Sequence, residues 1–85
     1  MTADSWVFTA RARRDFKRID APVQRRITDA LERLVADPPQ GHVIKLAGSD
    51  DEFRLRVGDW RIRFIRTDAT IYVLRVLPRG RAYRD

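Results

Sequence analysis

Four arginines lie within ten residues of this chain, at Arg54, Arg56, Arg61 and Arg63, in the stretch F-R-L-R-V-G-D-W-R-I-R-F from Phe53 to Phe64. A guanidinium is planar, permanently charged and shaped to hold two oxygens of one phosphate. Such groups suit the stabilisation of charge that develops on phosphoryl oxygens. They do not suit proton transfer, because arginine does not release its proton in proteins. The arginines alternate with apolar residues on both sides of Gly58-Asp59, which reads as two strands joined by a two-residue hairpin loop. In that register Val57 faces Trp60, Arg56 faces Arg61, Leu55 faces Ile62 and Arg54 faces Arg63. Like charges directly opposite one another are destabilising, so the pattern predicts a face built to receive an anion.

The remaining composition narrows the chemistry. The chain has 85 residues, no cysteine and one histidine. Thiol chemistry, disulfides and a histidine-cluster metal site are therefore excluded. The lone His42 falls in an expected loop before a short extended piece and carries no assigned role. Eighteen basic and twelve acidic residues give a net charge of +6, and all but Lys17 and Lys45 of the basic residues are arginine. From Met1 to Ile44 there are eight basic and six acidic residues. From Phe53 to Arg84 there are nine arginines against Asp59 and Asp68 alone. The positive field is concentrated in the C-terminal half, as expected of a polyanion-binding surface. No apolar run is long enough to span a bilayer and no signal peptide is visible, so one cytoplasmic domain, residues 1–85, with no membrane association, is expected.

The elements that position the arginines are legible from periodicity. Trp6 to Thr9 begins as a short strand, and Thr9 is a helix cap followed by Ala12, Phe16 and Ile19 at helical spacing. Arg11, Arg13, Arg14, Lys17 and Arg18 occupy the other faces of that helix, as a solvated surface. Asp20 is a second cap, with Pro22 in the first turn, before the apolar stripe Val23, Ile27, Ala30, Leu31 and Leu34. Asp37-Pro38-Pro39 ends this helix. Val43 to Leu46 is a short extended piece and Gly48 to Asp51 a polar turn. After the hairpin, Thr67-Asp68-Ala69 turns the chain into Thr70–Leu77, a run apolar on both parities that fits a central strand. A three-residue loop there puts Val73, Arg75 and Leu77 on the arginine face. A two-residue loop inverts that assignment, and the sequence leaves the two open. Trp60 is assigned to the core. The fold class is α+β in the order β-α-α-β-β-β, with both helices on one face of a mainly antiparallel sheet and the arginine face left open.

This order resembles the RelE/ParE superfamily of bacterial toxins, on the RelE side. The resemblance rests on Ala12-Arg13-Arg14-Asp15-Phe16, on Lys45-Leu46 followed by Gly48, on Arg54 to Phe64, and on the closing R-V-L-P-R-G-R-A-Y-R from Arg75 to Arg84. It implies a ribosome-dependent messenger-RNA endonuclease, the toxin half of a type II toxin–antitoxin pair. Such toxins cut A-site codons without a metal or other cofactor, through attack of the 2′-hydroxyl on the adjacent phosphate. The catalytic residues it implies are Arg54, Arg56, Arg61, Arg79 and Tyr83, with Tyr83 stacking on the nucleotide. Lys45, Arg63, Arg75 and Arg81 are the expected RNA-binding residues. The implied partners are a RelB-like antitoxin, the ribosome with its messenger RNA, and operator DNA through the toxin–antitoxin complex.

Two positions depart from the family pattern. Arg56 stands where relatives carry the lysine proposed as general base, and Pro78 stands where many carry histidine. Either Arg56 acts only electrostatically, or another group or the ribosome handles the proton. The alternatives to the nuclease are a ParE-like inhibitor of DNA gyrase and a catalytically weak module that binds RNA or antitoxin.

Overall fold

The computed structural model describes residues 5–36, 39–48 and 51–80. Their order is β1 (Ser5–Phe8), α1 (Ala10–Lys17), α2 (Ala21–Leu34), β2 (His42–Lys45), β3 (Glu52–Val57), β4 (Trp60–Thr67) and β5 (Thr70–Pro78). The five strands form one sheet in the order β1-β5-β4-β3-β2. β1 runs parallel to β5 and every other pair is antiparallel. The expected α+β architecture is the one observed, with one addition. The short extended piece near Val43 is a full edge strand, β2, that begins at His42 and pairs with β3.

Thr9 caps α1 by accepting a hydrogen bond from the Ala12 amide at 3.2 Å. Asp20 occupies the N-cap position of α2 but makes no side-chain cap bond. Its assignment as a capping side chain is therefore corrected, and Pro22 with its fixed φ supports the first turn instead. The Gln24 side-chain amide donates to the Phe16 carbonyl at 2.9 Å, which ties the end of α1 to the start of α2. Trp6 Nε1 donates to Glu32 Oε2 at 2.6 Å, which ties β1 to α2.

Ala12, Ile19, Ile27, Leu31 and Leu34 from the helical half bury against Leu55, Val57, Ile62, Phe64, Ile71, Val73 and Val76 from the sheet. Trp60 packs at the margin of this core, as assigned from the sequence. Each of the large aliphatic side chains removed from water contributes about 1.5–3 kcal/mol, so this one layer of contact dominates the stability of a small domain.

The β3–β4 hairpin has the register read from the sequence: Val57 with Trp60, Arg56 with Arg61, Leu55 with Ile62 and Arg54 with Arg63. Gly58 sits at φ +57°, in the left-handed region that a two-residue loop of this kind requires at its first position. A Cβ built there would collide with the end of the Arg26 guanidinium. Gly58→Ala is therefore expected to displace Arg26 and to cost about 1 kcal/mol in backbone strain. Thermal unfolding should show a fall of about 4–8 °C.

The β4–β5 loop resolves the alternatives in an unforeseen way. It has two residues, Asp68-Ala69, with Thr67 opposite Thr70. Up to Phe64 opposite Val73 the faces are those of the inverted assignment, with Ile71 and Val73 in the core. A register shift then skips Leu74, so that Arg63 faces Arg75 and Ile62 faces Val76. Beyond this bulge Arg75 and Leu77 lie on the arginine face and Val76 in the core. One extra residue switches the parity of a strand, which is why Thr70–Leu77 reads as apolar on both parities.

Candidate functional site: a guanidinium-lined sheet face

The registers set the arginines in two rows across the sheet, on the face opposite the helices. One row is His42, Arg56, Arg61 and Leu77, and the next is Ile44, Arg54, Arg63 and Arg75. Neighbouring strands are about 4.8 Å apart, so each row brings its side chains into mutual reach.

The structure explains how so many like charges share one face. Arg61 is buried, with 9% of its surface exposed. Its Nη1 donates to the carbonyls of Gly58 at 2.9 Å and Trp60 at 3.0 Å, so the guanidinium curls back beneath the hairpin loop. Arg63 forms an ion pair with Glu52, two residues before Arg54 on β3. Arg75 donates from Nε to Asp15 Oδ2 at 2.8 Å and from Nη2 to Asp15 Oδ1 at 3.2 Å. Fixed acceptors within the fold thus compensate three of the arginines. Arg54 is half-buried. Arg56 is exposed and forms no hydrogen bond or ion pair among the described residues.

Arg79 is exposed just beyond β5, and its backbone amide donates to the Asp59 carbonyl at 2.7 Å. That bond fastens Arg79 beside the hairpin tip, so Arg56, Arg61 and Arg79 are gathered at one end of the sheet. Lys45 faces Phe53 across β2 and β3. Strand alternation therefore puts it on the opposite side from Arg54 and Arg56. Arg81 and Tyr83 lie outside the described residues.

Asp15 is a participant that sequence reasoning missed. It accepts the Val76 amide at 3.0 Å as well as the Arg75 guanidinium. It thereby serves the part of β5 that runs past the end of β1, where a strand otherwise presents unpaired amides. Thr9 helps here too, donating its amide to the Val73 carbonyl at 3.0 Å and its hydroxyl to the Leu74 carbonyl at 3.4 Å. Burial pushes the Asp15 carboxyl up. The hydrogen bonds from Arg75 and the Val76 amide, with the charges of Arg75 and Arg11, outweigh that and hold its pKa below the ordinary 3.8. Asp15 lies in the Ala12–Phe16 stretch quoted above, but nothing in the sequence pairs it with a residue sixty positions away.

His42 was placed in a loop from the sequence. It is the first residue of β2, exposed, and directly opposite Arg56. A groove of about 470 Å³ between α2 and the β2–β3 edge is lined by His42, Arg56 and Gly58 from the sheet and by Arg26, Asp29 and Arg33 from α2. The hairpin tip therefore carries guanidiniums from both layers.

A small α+β domain with a guanidinium-lined sheet face and two N-terminal helices defines a class of small toxins. Residues 7–83 match the family described as ParE toxin of type II toxin-antitoxin system, parDE, and the chain belongs to that family, within the RelE/ParE superfamily. The fold is similar to the toxin of the archaeal RelE–RelB complex from Pyrococcus horikoshii, with 28% identity and a TM-score of 0.74 over 96% of this chain and 100% of that one. It is also similar to a chain of the RelB–RelE complex from Methanococcus jannaschii, with 25% identity and a TM-score of 0.75 over 91% and 94%. The RelBE2 complex from Mycobacterium tuberculosis shares the fold at 23% identity and a TM-score of 0.74, over 92% and 100%. No curated protein matches the sequence.

Proposed function

We propose that this toxin is a ribosome-dependent endonuclease that cuts messenger RNA in the A site and so stops translation. The observation that carries the reading is the cluster of Arg56, Arg61 and Arg79 at the hairpin tip. It rests beside the likeness to RelE chains at 28% and 25% identity. The 2′-hydroxyl attacks the adjacent phosphate, the 5′-oxygen leaves, and the products are a 2′,3′-cyclic phosphate and a 5′-hydroxyl. Negative charge grows on the non-bridging oxygens during this step. Arg56 and Arg79, both exposed, donate to those oxygens. Arg61, fixed on two carbonyls beneath them, holds the tip in shape and adds its field. Preorganised donors of this type gain most because they need no rearrangement as charge develops. Arg54 extends the same field, Tyr83 stacks on a base, and Arg63, Arg75 and Arg81 bind the RNA backbone, with Lys45 a contact from the other side of the sheet.

The partner proposed is a RelB-like antitoxin, and operator DNA is reached only through the complex. Three exposed apolar side chains, Val7, Tyr72 and Ile44, share the arginine face by register. An amphipathic segment with acidic residues matches such a face, and in covering it would block access to the arginines. The site of action is the cytoplasm, where translating ribosomes are.

The ParE family match favours a second reading, inhibition of DNA gyrase by protein binding. Translating ribosomes incubated with the toxin distinguish the two. Cuts at defined codon positions are expected, with gyrase supercoiling unaffected. Intact messenger RNA together with stalled supercoiling would establish the second reading instead.

A further inference from the structure

We propose that His42 is the group that takes the proton from the attacking 2′-hydroxyl, an assignment that rests on the nuclease reading above. The reaction needs a base, and none of the clustered arginines can serve, because a guanidinium keeps its proton. An imidazole has a nitrogen lone pair that can accept a proton, which makes histidine the commonest general base. The chain holds one histidine, and the fold delivers it to the row that holds the phosphate.

The placement follows from two registers. His42 pairs with Arg56 across β2 and β3, and Arg56 pairs with Arg61 across β3 and β4. Partners directly opposite one another project to the same face, with Cβ atoms about 4.5–5.5 Å apart. His42 therefore flanks the exposed Arg56 on the side away from Arg61. Both residues are exposed on this face, and the groove of about 470 Å³ lies on the other, α2 side of the same sheet edge. A nucleotide whose phosphate rests on Arg56 thus has its sugar within reach of the imidazole. The charged group that faces His42 on this side of the sheet is Arg56 from β3, while Arg26, Asp29 and Arg33 of α2 lie along the groove on the other side.

The step balances. The neutral imidazole accepts the 2′-hydroxyl proton, the O2′–P bond forms, and the P–O5′ bond breaks. The departing 5′-oxygen takes a proton from water, and the imidazolium returns its own to solvent. No metal or redox partner enters the balance.

Single-turnover cleavage of a defined messenger RNA on programmed ribosomes, measured from pH 5.5 to 8.5, tests the assignment. The wild-type rate should rise with pH, as removal of a proton by a base on the protein requires. His42→Gln should slow cleavage about 100-fold at pH 7 and lose that rise, with unchanged half-saturating toxin concentration and melting temperature. Free imidazole should restore part of the rate to His42→Ala. Wild-type cleavage with an unaltered rate and pH profile in His42→Gln would overturn the assignment and leave the nuclease reading standing. Absence of wild-type cleavage at every pH would overturn both.

Discussion

Arg56→Ala is expected to lower codon-positioned cleavage by about 100-fold or more while leaving the fold intact. Removing one preorganised donor to a developing oxyanion costs about 10²–10³ in rate. Arg56 is the arginine of the tip rows that is exposed and has no internal acceptor among the described residues. Its loss therefore leaves no buried group unsatisfied, and relief of the repulsion from Arg61 opposite makes the folded state no less stable. The contrast with Arg61→Ala is diagnostic. That substitution removes the donor to the Gly58 and Trp60 carbonyls, so activity and thermal stability should fall together. Cleavage kinetics and thermal melts on the two variants read the difference. Arg56→Ala cutting at the wild-type rate would exclude this arginine from the chemistry.

Asp15→Asn is expected to destabilise the domain by about 3 kcal/mol and to change how stability depends on acid. The Asp15 and Arg75 side chains are only 17% and 12% exposed. Removing one partner of such a pair leaves an uncompensated, largely desolvated charge, at a cost of about 3–5 kcal/mol. Asparagine retains an acceptor for the Val76 amide, which sets the expectation at the lower end. Against a total of about 5–15 kcal/mol for a typical domain, that is a large share, and the melting temperature should drop by more than about 10 °C. The sign of the pH effect follows from the lowered pKa. The folded protein holds the ionised carboxylate more tightly than the unfolded chain does. The stabilisation is therefore complete above the ordinary value of 3.8 and is lost as pH falls through the lower folded value. Urea unfolding from pH 2 to pH 7 should show this acid limb in the wild type and its reduction in Asp15→Asn. Equal stability of the two proteins at pH 7 would show that the pair contributes nothing.

Local rules made the hairpin legible. Alternation over Phe53–Phe64 and the Gly58-Asp59 pair specify both strands, the loop and the register, because a two-residue turn leaves no freedom in which residues oppose one another. The helices were legible for the same reason. Their apolar stripes at 3.6-residue spacing leave one face that can be buried. Asp20 shows the limit of such reading, since a capping residue type in a capping position still needs a side-chain geometry that the chain does not adopt there.

The sequence by itself determined the two helices, the arginine ribbon and the concentration of charge in the C-terminal half, because each depends on neighbours a few residues apart. Tertiary structure alone decided which arginines face solvent and which are already engaged. Glu52 meets Arg63 across the hairpin, Asp15 reaches Arg75 sixty residues away, and Arg61 folds under the loop. It decided the bulge at Leu74, which arises where α1 takes over the edge of β5 from β1. It also moved His42 from an incidental loop to the strand position facing Arg56. These outcomes depend on the pairing of segments distant in the chain, and short-range periodicity carries no record of that pairing.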